Sequence, residues 1–232
     1  FNEARVLNTR LQSADVIRIK NYIAWPIHIT DTEEVWIWKC KYKSVAEMKP
    51  CPPADDVKDL TFNKDTFLKP TNTMNLFVWS RCLTEMRRQM IKDCDVRIYA
   101  GGRHNGYRGK MPGVLEEIIM AIEKKLPIFL LGGFGGVTAS VCKLLIEKDS
   151  IPPELTLDWQ VQNNNGYKQL LDLYKERCNE FSVDYEEIAS TIRNGDLNNG
   201  LNVEENAKLY NTPFIDEAMS LIFKGLKSKF KL

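Results

Sequence analysis

The fold is decided by the stretch "DVRIYAGGRHNGYRGKMPGVLEEIIMAIEKKLPIFLLGGFGGVTASVCKLLIEKD", residues 95–149. A short β-rich run ends in a glycine pair and a helical pattern follows, and the order strand, glycine loop, helix then occurs a second time. Two successive βα units favour a parallel sheet with helices covering its faces. We therefore expect an α/β, Rossmann-like open parallel sheet that continues into a helix-rich C-terminal part.

The remaining chain has mostly helical patterns, apart from one strand near its start. Its 232 residues fit one large domain or two small ones, and we place a single domain at 1–232. The expected elements are an amphipathic helix over 1–13, a strand in "DVIRIKNYIAWPIHI" (15–29) that enters a loop at Trp25 and Pro26, an irregular segment over 47–75, a helix over 78–94, and helices from about 150 onward. Asn202 and Glu205 have the spacing of a capping box at a helix start.

Composition and charge narrow the classes of partner. The 32 basic residues nearly balance the 31 acidic ones, for a formal net charge of +1. No sign imbalance therefore points to nucleic acid or to an anionic membrane as a partner. No apolar run approaches the length of a membrane span. The sequence opens on Phe1 without a methionine, so we expect it to be part of a longer polypeptide.

The cysteines and histidines carry little sign of chemistry of their own. The six cysteines are scattered without a CxxC pair, which favours a reduced, cytoplasmic protein. No histidine stands at metal-ligand spacing, so we expect no metal. Cys94 and Cys142 lie in apolar runs, where a small buried hydrophobe would serve. We interpret His28 as a hydrogen-bonded structural residue.

Both glycine clusters fall at the carboxyl ends of predicted strands, where open parallel sheets bind ligands. Glycine lets successive N–H groups converge on an anion, a helix N-terminus adds positive potential, and arginine forks onto phosphate oxygens. A phosphorylated or nucleotide-derived ligand is therefore the leading hypothesis. The candidate binding residues are Trp25, Gly101, Gly102, Arg103, His104, Gly106, Tyr107, Arg108, Lys110, Gly113, Glu116, Glu117, Gly132, Gly133, Phe134, Gly135 and Gly136.

Three of these residues have more than one reading. Phe134 either stacks on a base or plugs the core. Glu116 and Glu117 either bind ribose hydroxyls, or stabilise charge at an anomeric carbon, or stand there because the helix macrodipole favours acids in a first turn. Adjacent helical residues point about 100° apart, so we expect one of the two to face the loop. The spacing fits neither a P-loop nor a dinucleotide fingerprint.

The same residues resemble a known superfamily. "DVRIYAGGRHNGYRGKMPGVLEEIIMAI" (95–122) followed by "LPIFLLGGFGG" (126–136) is similar to the SLOG superfamily, Rossmann-like domains related to the Lonely-guy phosphoribohydrolases and to the amino-terminal domain of TRPM channels. "NYIAWPIH" (21–28), "VWSRCLTEMRRQM" (78–90) and "NGLNVEENAKLY" (199–210) further resemble prokaryotic members that are associated with TIR effector domains.

This resemblance implies a nucleotide or NAD-derived signal, such as a cyclic ADP-ribose species, bound over the sheet beside the glycines and the basic loop. It also implies that the signal controls homo-oligomer assembly or activation of an attached TIR NADase in anti-phage defence. "MPGVLEE" (111–117) lacks the threonine of the phosphoribohydrolase motif, so we expect this domain to be non-catalytic. The first strand and glycine loop of the family would precede residue 1.

Three functions compete on the sequence. The first is a non-catalytic sensor whose occupancy shifts the state of an attached effector. The second is an enzyme that cleaves an N-glycosidic bond, with Glu116 or Glu117 as the acid, base or stabilising residue. The third is an oligomerisation scaffold, whose C-terminal helices mediate self-association and whose glycine loops are only turns. Ligand binding, turnover and self-association distinguish the three.

Overall fold

The protein is built from two compact units, Phe1–Met90 and Ile91–Leu232. The computed structural model describes residues 1–13, 16–29, 33–60, 67–178 and 183–231. Each unit contains a pair of parallel strands and several helices. The chain is therefore α/β with short parallel strands, as the sequence predicts.

The first unit is a βαβ arrangement with flanking helices. Strands β1 (Ile19–Ile23) and β2 (Ala46–Pro50) pair in parallel, and a helix crosses between them, as parallel neighbours require. The helices are α1 (Asn2–Arg10), α2 (Glu33–Tyr42) and α3 (Thr73–Lys92), of which α3 extends two residues into the second unit. A small core of Ala4, Tyr42, Val45 and Ala46 joins α1 to this strand pair.

The second unit holds the two predicted βα repeats and the C-terminal helices. Strands β3 (Arg97–Ala100) and β4 (Ile128–Leu131) pair in parallel along their full lengths. The helices, in chain order, are α4 (Gly113–Glu123), α5 (Gly136–Ile146), α6 (Leu157–Asn163), α7 (Tyr167–Arg177), α8 (Tyr185–Asn194), α9 (Val203–Asn211) and α10 (Ile215–Phe230). At the start of α9, Asn202 and Glu205 form the predicted capping box.

Helices cover both faces of the β3–β4 pair. Side chains of a strand alternate between faces, and those of β4 divide accordingly. Ile128 and Leu130 belong to the main core, which α4, α5 and α8 supply. Phe129 and Leu131 point into a second core, which α9 and α10 supply. This two-sided cover is why β4 is a continuous apolar run, and it confirms the expected Rossmann-like layering.

Asn199 closes the outer edge of β4. Its buried side-chain amide donates hydrogen bonds to the Ile128 carbonyl and to the Asn206 side chain, both at 2.8 Å. Its side-chain oxygen accepts from the Leu201 amide at 3.0 Å. The Ile128 amide in turn donates to the Leu197 carbonyl at 2.8 Å. At Ile128 the edge of the strand is therefore satisfied by an irregular segment instead of a further strand.

Most predicted elements are confirmed, and one is wrong. The predicted helices over 1–13 and 78–94 are α1 and α3. The expectation of an irregular 47–75 is wrong for residues 47–50, which belong to β2, and for residues 73–75, which begin α3. Pro50 ends β2, where a missing N–H is tolerated. Residues 61–66 of that segment lie outside the described residues. The same holds for Asp15 of the first predicted strand and for 179–181, which lie in the region predicted to be helical from about 150 onward.

Replacing Asn199 tests this edge closure. Asn199→Ala leaves the Ile128 carbonyl buried without its donor, so we expect the free energy of unfolding to fall by about 1–3 kcal/mol. Asn165→Ala, at an exposed loop position, is the matched control and should change it by less than about 0.5 kcal/mol. Urea unfolding of both variants measures the difference, and equal stabilities would contradict the closure.

Candidate functional site

The two glycine loops form one structure at the carboxyl ends of β3 and β4. The first amides of α5 donate to carbonyls of the first loop: Thr138 N to Gly101 O at 2.9 Å, and Val137 N to Gly102 O at 3.1 Å. Gly136 has a φ of +63°, and a Cβ there would overlap the Gly102 carbonyl oxygen. Glycine at 136 is therefore required for the loops to approach so closely.

Not all the glycines contribute in the same way. Gly101, Gly106 and Gly135 have positive φ, and a Cβ on any of them would meet no atom within 4 Å, so their backbone borders open space. Gly132 and Gly133, by contrast, lie against the backbone carbonyls of Tyr210 and Thr212. This second pair is small because the chain leaving α9 passes over it. Gly113 is the first residue of α4.

The loop between Gly102 and α4 is held by α6 and the residue after it. The His104 ring packs edge-to-face on the Trp159 ring, with centroids 6.0 Å apart. Gly106 N donates a hydrogen bond to Asn164 Oδ1 at 2.9 Å, and Tyr107 Oη donates one to Gln160 Oε1 at 2.7 Å. Asn164 also donates to Gln160 Oε1 at 2.9 Å, so the two clamping side chains support each other. The loop is ordered by the protein itself.

A chain of tyrosines fixes the end of this loop. Tyr167 Oη donates to the Lys110 carbonyl at 2.6 Å and lies 3.1 Å from Tyr185 Oη. The Tyr107 ring packs edge-on against the Tyr167 ring, with centroids 5.8 Å apart. Burial raises the pKa of Tyr167, so its hydroxyl stays protonated and keeps donating at neutral pH. The backbone at Lys110 is therefore tied to α7 and α8.

His104 links the first loop to α5. Its Nε2 lies 2.9 Å from Ser140 Oγ, in hydrogen-bond contact. Partial burial lowers the pKa of the His104 imidazole, and the charge of Glu154 opposes that shift. At neutral pH His104 is therefore uncharged and serves as a hydrogen-bonding ring instead of an anion-binding cation.

The paired glutamates point in different directions, as their adjacent helical positions predict. The Glu117 carboxylate is bound by the Arg97 guanidinium, and Tyr99 Oη donates to the Glu117 carbonyl at 2.8 Å. Glu116 is only 2% exposed, with its Oε1 3.9 Å from Lys110 Nζ. Glu116 is thus the carboxylate on the loop side, whereas Glu117 ties α4 to β3.

Three candidate side chains reach solvent around the joined loops. Arg103 and Arg108 are exposed. Phe134 exposes 42% of its surface, so it does not plug the core. Trp25 lies in the first unit, where its side chain is buried next to Pro26. The second unit therefore holds all the candidate residues except Trp25.

The expectations for Cys142 and His28 have clear outcomes. Cys142 is buried in the main core, and burial raises the pKa of its thiol to about 12, which fits the role of a small hydrophobe. His28 Nε2 contacts the Cys51 carbonyl at 3.1 Å, as a structural histidine would. Within the described residues, no group of three or more His, Cys, Asp or Glu side chains is arranged to hold a metal ion. Over the same residues, no helix combines the length and apolarity needed to cross a membrane.

The structure adds residues to the site that the sequence reading missed. Ser140, Gln160 and Asn164 hold the loop from distant positions in the chain. The hydroxyl of Thr138, in the first turn of α5, is fully buried and has no hydrogen-bond partner among the described residues. Thr138, Ser140 and Asn164 lie in the polar runs "TAS" (138–140) and "QNNNG" (162–166), but neither run indicates a contact with the glycine loop.

Comparison with known proteins gives one match. The family model described as SLOG cluster2 matches residues 4–209, so the chain belongs to the SLOG family. The match extends over most of both units and ends before α10 begins. Neither the curated proteins nor the solved structures give a match. Membership of this family implies at most that the chain binds a nucleotide-related ligand.

The contact between the glycine loops can be tested with a matched pair of substitutions. Gly101→Ala adds a Cβ at positive φ into open space, which should cost about 1 kcal/mol. Gly136→Ala adds the same strain and also overlaps the Gly102 carbonyl, so we expect it to lower the free energy of unfolding by about 3 kcal/mol or more. Denaturant unfolding of the two variants decides; equal losses would mean that the loops do not touch there.

The state of His104 makes a second prediction. Because burial lowers its pKa below the ordinary 6.5, the unfolded chain takes up a proton before the folded one does. The free energy of unfolding should therefore fall as the pH drops through 6.5. Proton NMR of a His28→Gln variant, which leaves one histidine, should give a titration midpoint below 6.5. A midpoint at or above 6.5 would contradict the environment described.

Proposed function

We propose that this SLOG domain is a non-catalytic sensor, which binds a nucleotide or NAD-derived signal over the joined glycine loops. The observation that carries the proposal is the contact of the Gly101–Gly102 pair with the start of α5. It creates a surface of bare backbone at Gly101 and Gly135, with no side chain to exclude a ligand. Such a surface suits a ligand that approaches the main chain closely.

The charge around this surface supports a phosphate-bearing ligand. Arg103 and Arg108 are exposed, and neither forms an ion pair with any residue that the structure describes. Guanidinium groups in this state are available for bidentate hydrogen bonds to phosphate oxygens. Lys110 differs from them, because its ammonium lies beside Glu116. The two arginines are therefore the cations that we assign to the signal.

One further side chain suits the base of a nucleotide, and a buried hydroxyl lies beside the glycine loops. Phe134, next to Gly135, exposes enough of its ring to stack on a base. The buried Thr138 hydroxyl has no partner among the described residues, although its own amide bonds Gly101. Buried polar groups are nearly always satisfied, so a buried water is the expected partner of this hydroxyl.

Binding without turnover is favoured by the state of the two carboxylates. A glycosidic acid or base must reach the scissile bond and exchange a proton with it. The Glu117 carboxylate is instead occupied by Arg97, and Glu116 is nearly inaccessible beside Lys110. These contacts support a sensor over an N-glycosidic enzyme. The segment "MPGVLEE" (111–117) also lacks the threonine of the phosphoribohydrolase motif, which supports the same choice.

The signalling part of the proposal rests on the coupling of the loop to the C-terminal helices. The loop is tied to α6 through Gln160 and Asn164 and to α7 through Tyr167. A ligand that binds one arrangement of the loop better than another would bias these helices as well. The attached effector that we propose, a cytoplasmic TIR NADase in anti-phage defence, comes from the resemblance of the sequence segments.

Calorimetric titration and thermal shift of the whole chain test the proposal. We would use ADP-ribose, cyclic ADP-ribose, NAD and AMP as probes. A ligand at a hundred times its Kd should add about 2.7 kcal/mol of stability. Arg103→Ala and Arg108→Ala should each raise the Kd by about tenfold or more. Lys148→Ala, at an exposed position after α5, is the control and should leave the Kd unchanged.

Chromatography of the same mixtures separates the alternatives. The sensor proposal expects no free base to be released. Release that stops in Glu116→Gln while binding persists would replace the sensor with an N-glycosidic enzyme. If no probe binds and none is cleaved, the proposal fails, and the glycine loops are then structural turns of a scaffold.

A further inference from the structure

Helix α10 exposes an apolar surface that the described residues do not cover. It begins at Ile215, beyond the last residue of the family match. The exposed side chains lie on one side of the helix and just before it, and we name them the α10 stripe: Phe214 (70% exposed), Ile215 (63%), Met219 (40%), Phe223 (55%) and Phe230 (44%). Since helical positions four apart lie on one face, Ile215, Met219 and Phe223 form a continuous ridge.

The orientation of α10 is fixed, so the stripe cannot turn inward. Ala218 and Ile222 are buried against Phe129 of β4 in the second core. Gly225 approaches so closely that a Cβ there would overlap the Asn199 carbonyl and lie 2.7 Å from the Phe129 ring. Two ion pairs tie α10 to α9. Lys208 of α9 pairs with Glu217 at 2.6 Å, and Lys224 of α10 pairs with Glu205 in the first turn of α9.

The exposed apolar area has the size of a surface that often serves a function. With aromatic side chains of about 200 Å² each, the three phenylalanines, Ile215 and Met219 present on the order of 500 Å² of apolar surface. The largest apolar patch on a typical monomer measures about 300–600 Å² and is often functional. Together with flanking polar residues, the stripe approaches the roughly 800 Å² that one partner contributes to a standard interface.

The charges beside the stripe identify the partner. Asp216 and Lys227 are both exposed, and among the residues that the structure describes neither takes part in an ion pair. They are eleven residues apart, which is close to three whole turns, so both lie along the same flank of the stripe. The flank is acidic at the helix N-terminus and basic at its C-terminus. The surface that best matches this charge pattern is α10 of a second copy of the chain, running in the opposite direction.

We propose that the α10 stripe is the interface of a homodimer, in which two copies of α10 pack antiparallel about a two-fold axis. The axis passes between Met219 and Phe223, so Met219 lies against the partner's Phe223. The same axis sets Asp216 within one residue, or about 1.5 Å along the helix, of the partner's Lys227, and symmetry makes this pair twice. The proposal uses no ligand and does not rest on the sensor function.

Sedimentation velocity over a concentration series tests the dimer. The wild-type chain should show a concentration-dependent monomer–dimer equilibrium in the micromolar range. Phe223→Glu should raise the dimer Kd by at least about tenfold, because it buries a charge in the ridge. Lys148→Glu, which changes an exposed charge away from α10, is the matched control and should leave the Kd within about twofold. Circular dichroism confirms that each variant is folded.

A charge exchange distinguishes a second copy from any other partner. Asp216→Lys alone sets like charges opposite each other twice and should weaken the dimer by about tenfold. Lys227→Asp alone should do the same. The double variant Asp216→Lys with Lys227→Asp restores both pairs, so its Kd should return to within about threefold of the wild type.

Three outcomes would overturn the proposal. A wild-type chain that stays monomeric throughout the micromolar range would mean that another segment or partner protein covers the stripe. A dimer unaffected by Phe223→Glu would mean that the interface lies elsewhere. A double charge variant as weak as the single ones would mean that the helices do not pair antiparallel in this register.

Discussion

The hydrogen bonds from the first turn of α5 to the carbonyls of Gly101 and Gly102 are the constraint on which the second unit depends. The opening amides of a helix have no partner within it, and here the preceding βα loop supplies the acceptors. Those carbonyls point toward α5 only because the two glycines adopt positive φ. One pair of bonds therefore fixes the first loop, the start of α5 and the surface between them.

This constraint also decides which groups are left for a ligand. The amides of Val137 and Thr138 already donate hydrogen bonds to the first loop. The start of α5 can therefore attract an anionic ligand through its dipole but cannot donate these two hydrogen bonds to it. A ligand can still reach the surface without side chains at Gly101 and Gly135 and the two exposed arginines. The Gly101 carbonyl and both backbone polar groups of Gly135 are themselves hydrogen-bonded within the protein. The proposed site is therefore a backbone surface with exposed arginines at its rim, unlike a P-loop, whose amides converge directly on phosphate.

The preformed loop is a second consequence of the fold. Tyr107, Gly106 and the Lys110 carbonyl are held by side chains from α6 and α7 before any ligand arrives. Ordering a loop in advance removes an entropic cost from binding. It also means that a ligand which shifts the loop must shift these helices.

The sequence predicted the elements that have a strong local pattern and missed those that have none. The repeats from β3 to α5 were predictable, because apolar runs ending in glycines alternate with helical periodicity. Strand β2 was not, since Pro50 and the prolines after it outweigh a five-residue run. The glycines and cations of the site could likewise be found by composition. Their partners Ser140 and Gln160 could not, because contacts across 36 and 53 residues leave no local spacing to detect.

The packing roles of individual glycines were equally invisible to the sequence. Gly132 and Gly135 belong to one motif, yet the first lies against Tyr210 and the second borders open space. Only the path of the chain after α9 separates the two cases. The directions of Glu116 and Glu117 could be inferred from helix geometry, but their partners Lys110 and Arg97 could not. Tertiary contacts therefore decide which residues of a recognised motif face a ligand.

Hydrogen–deuterium exchange with and without ADP-ribose tests most directly that the two glycine loops form one ligand site. The account predicts that the same concentration of ligand slows exchange in both 101–111 and 132–138, with a smaller effect over α6. Slowing in one loop alone, or in neither while another region is protected, would contradict it.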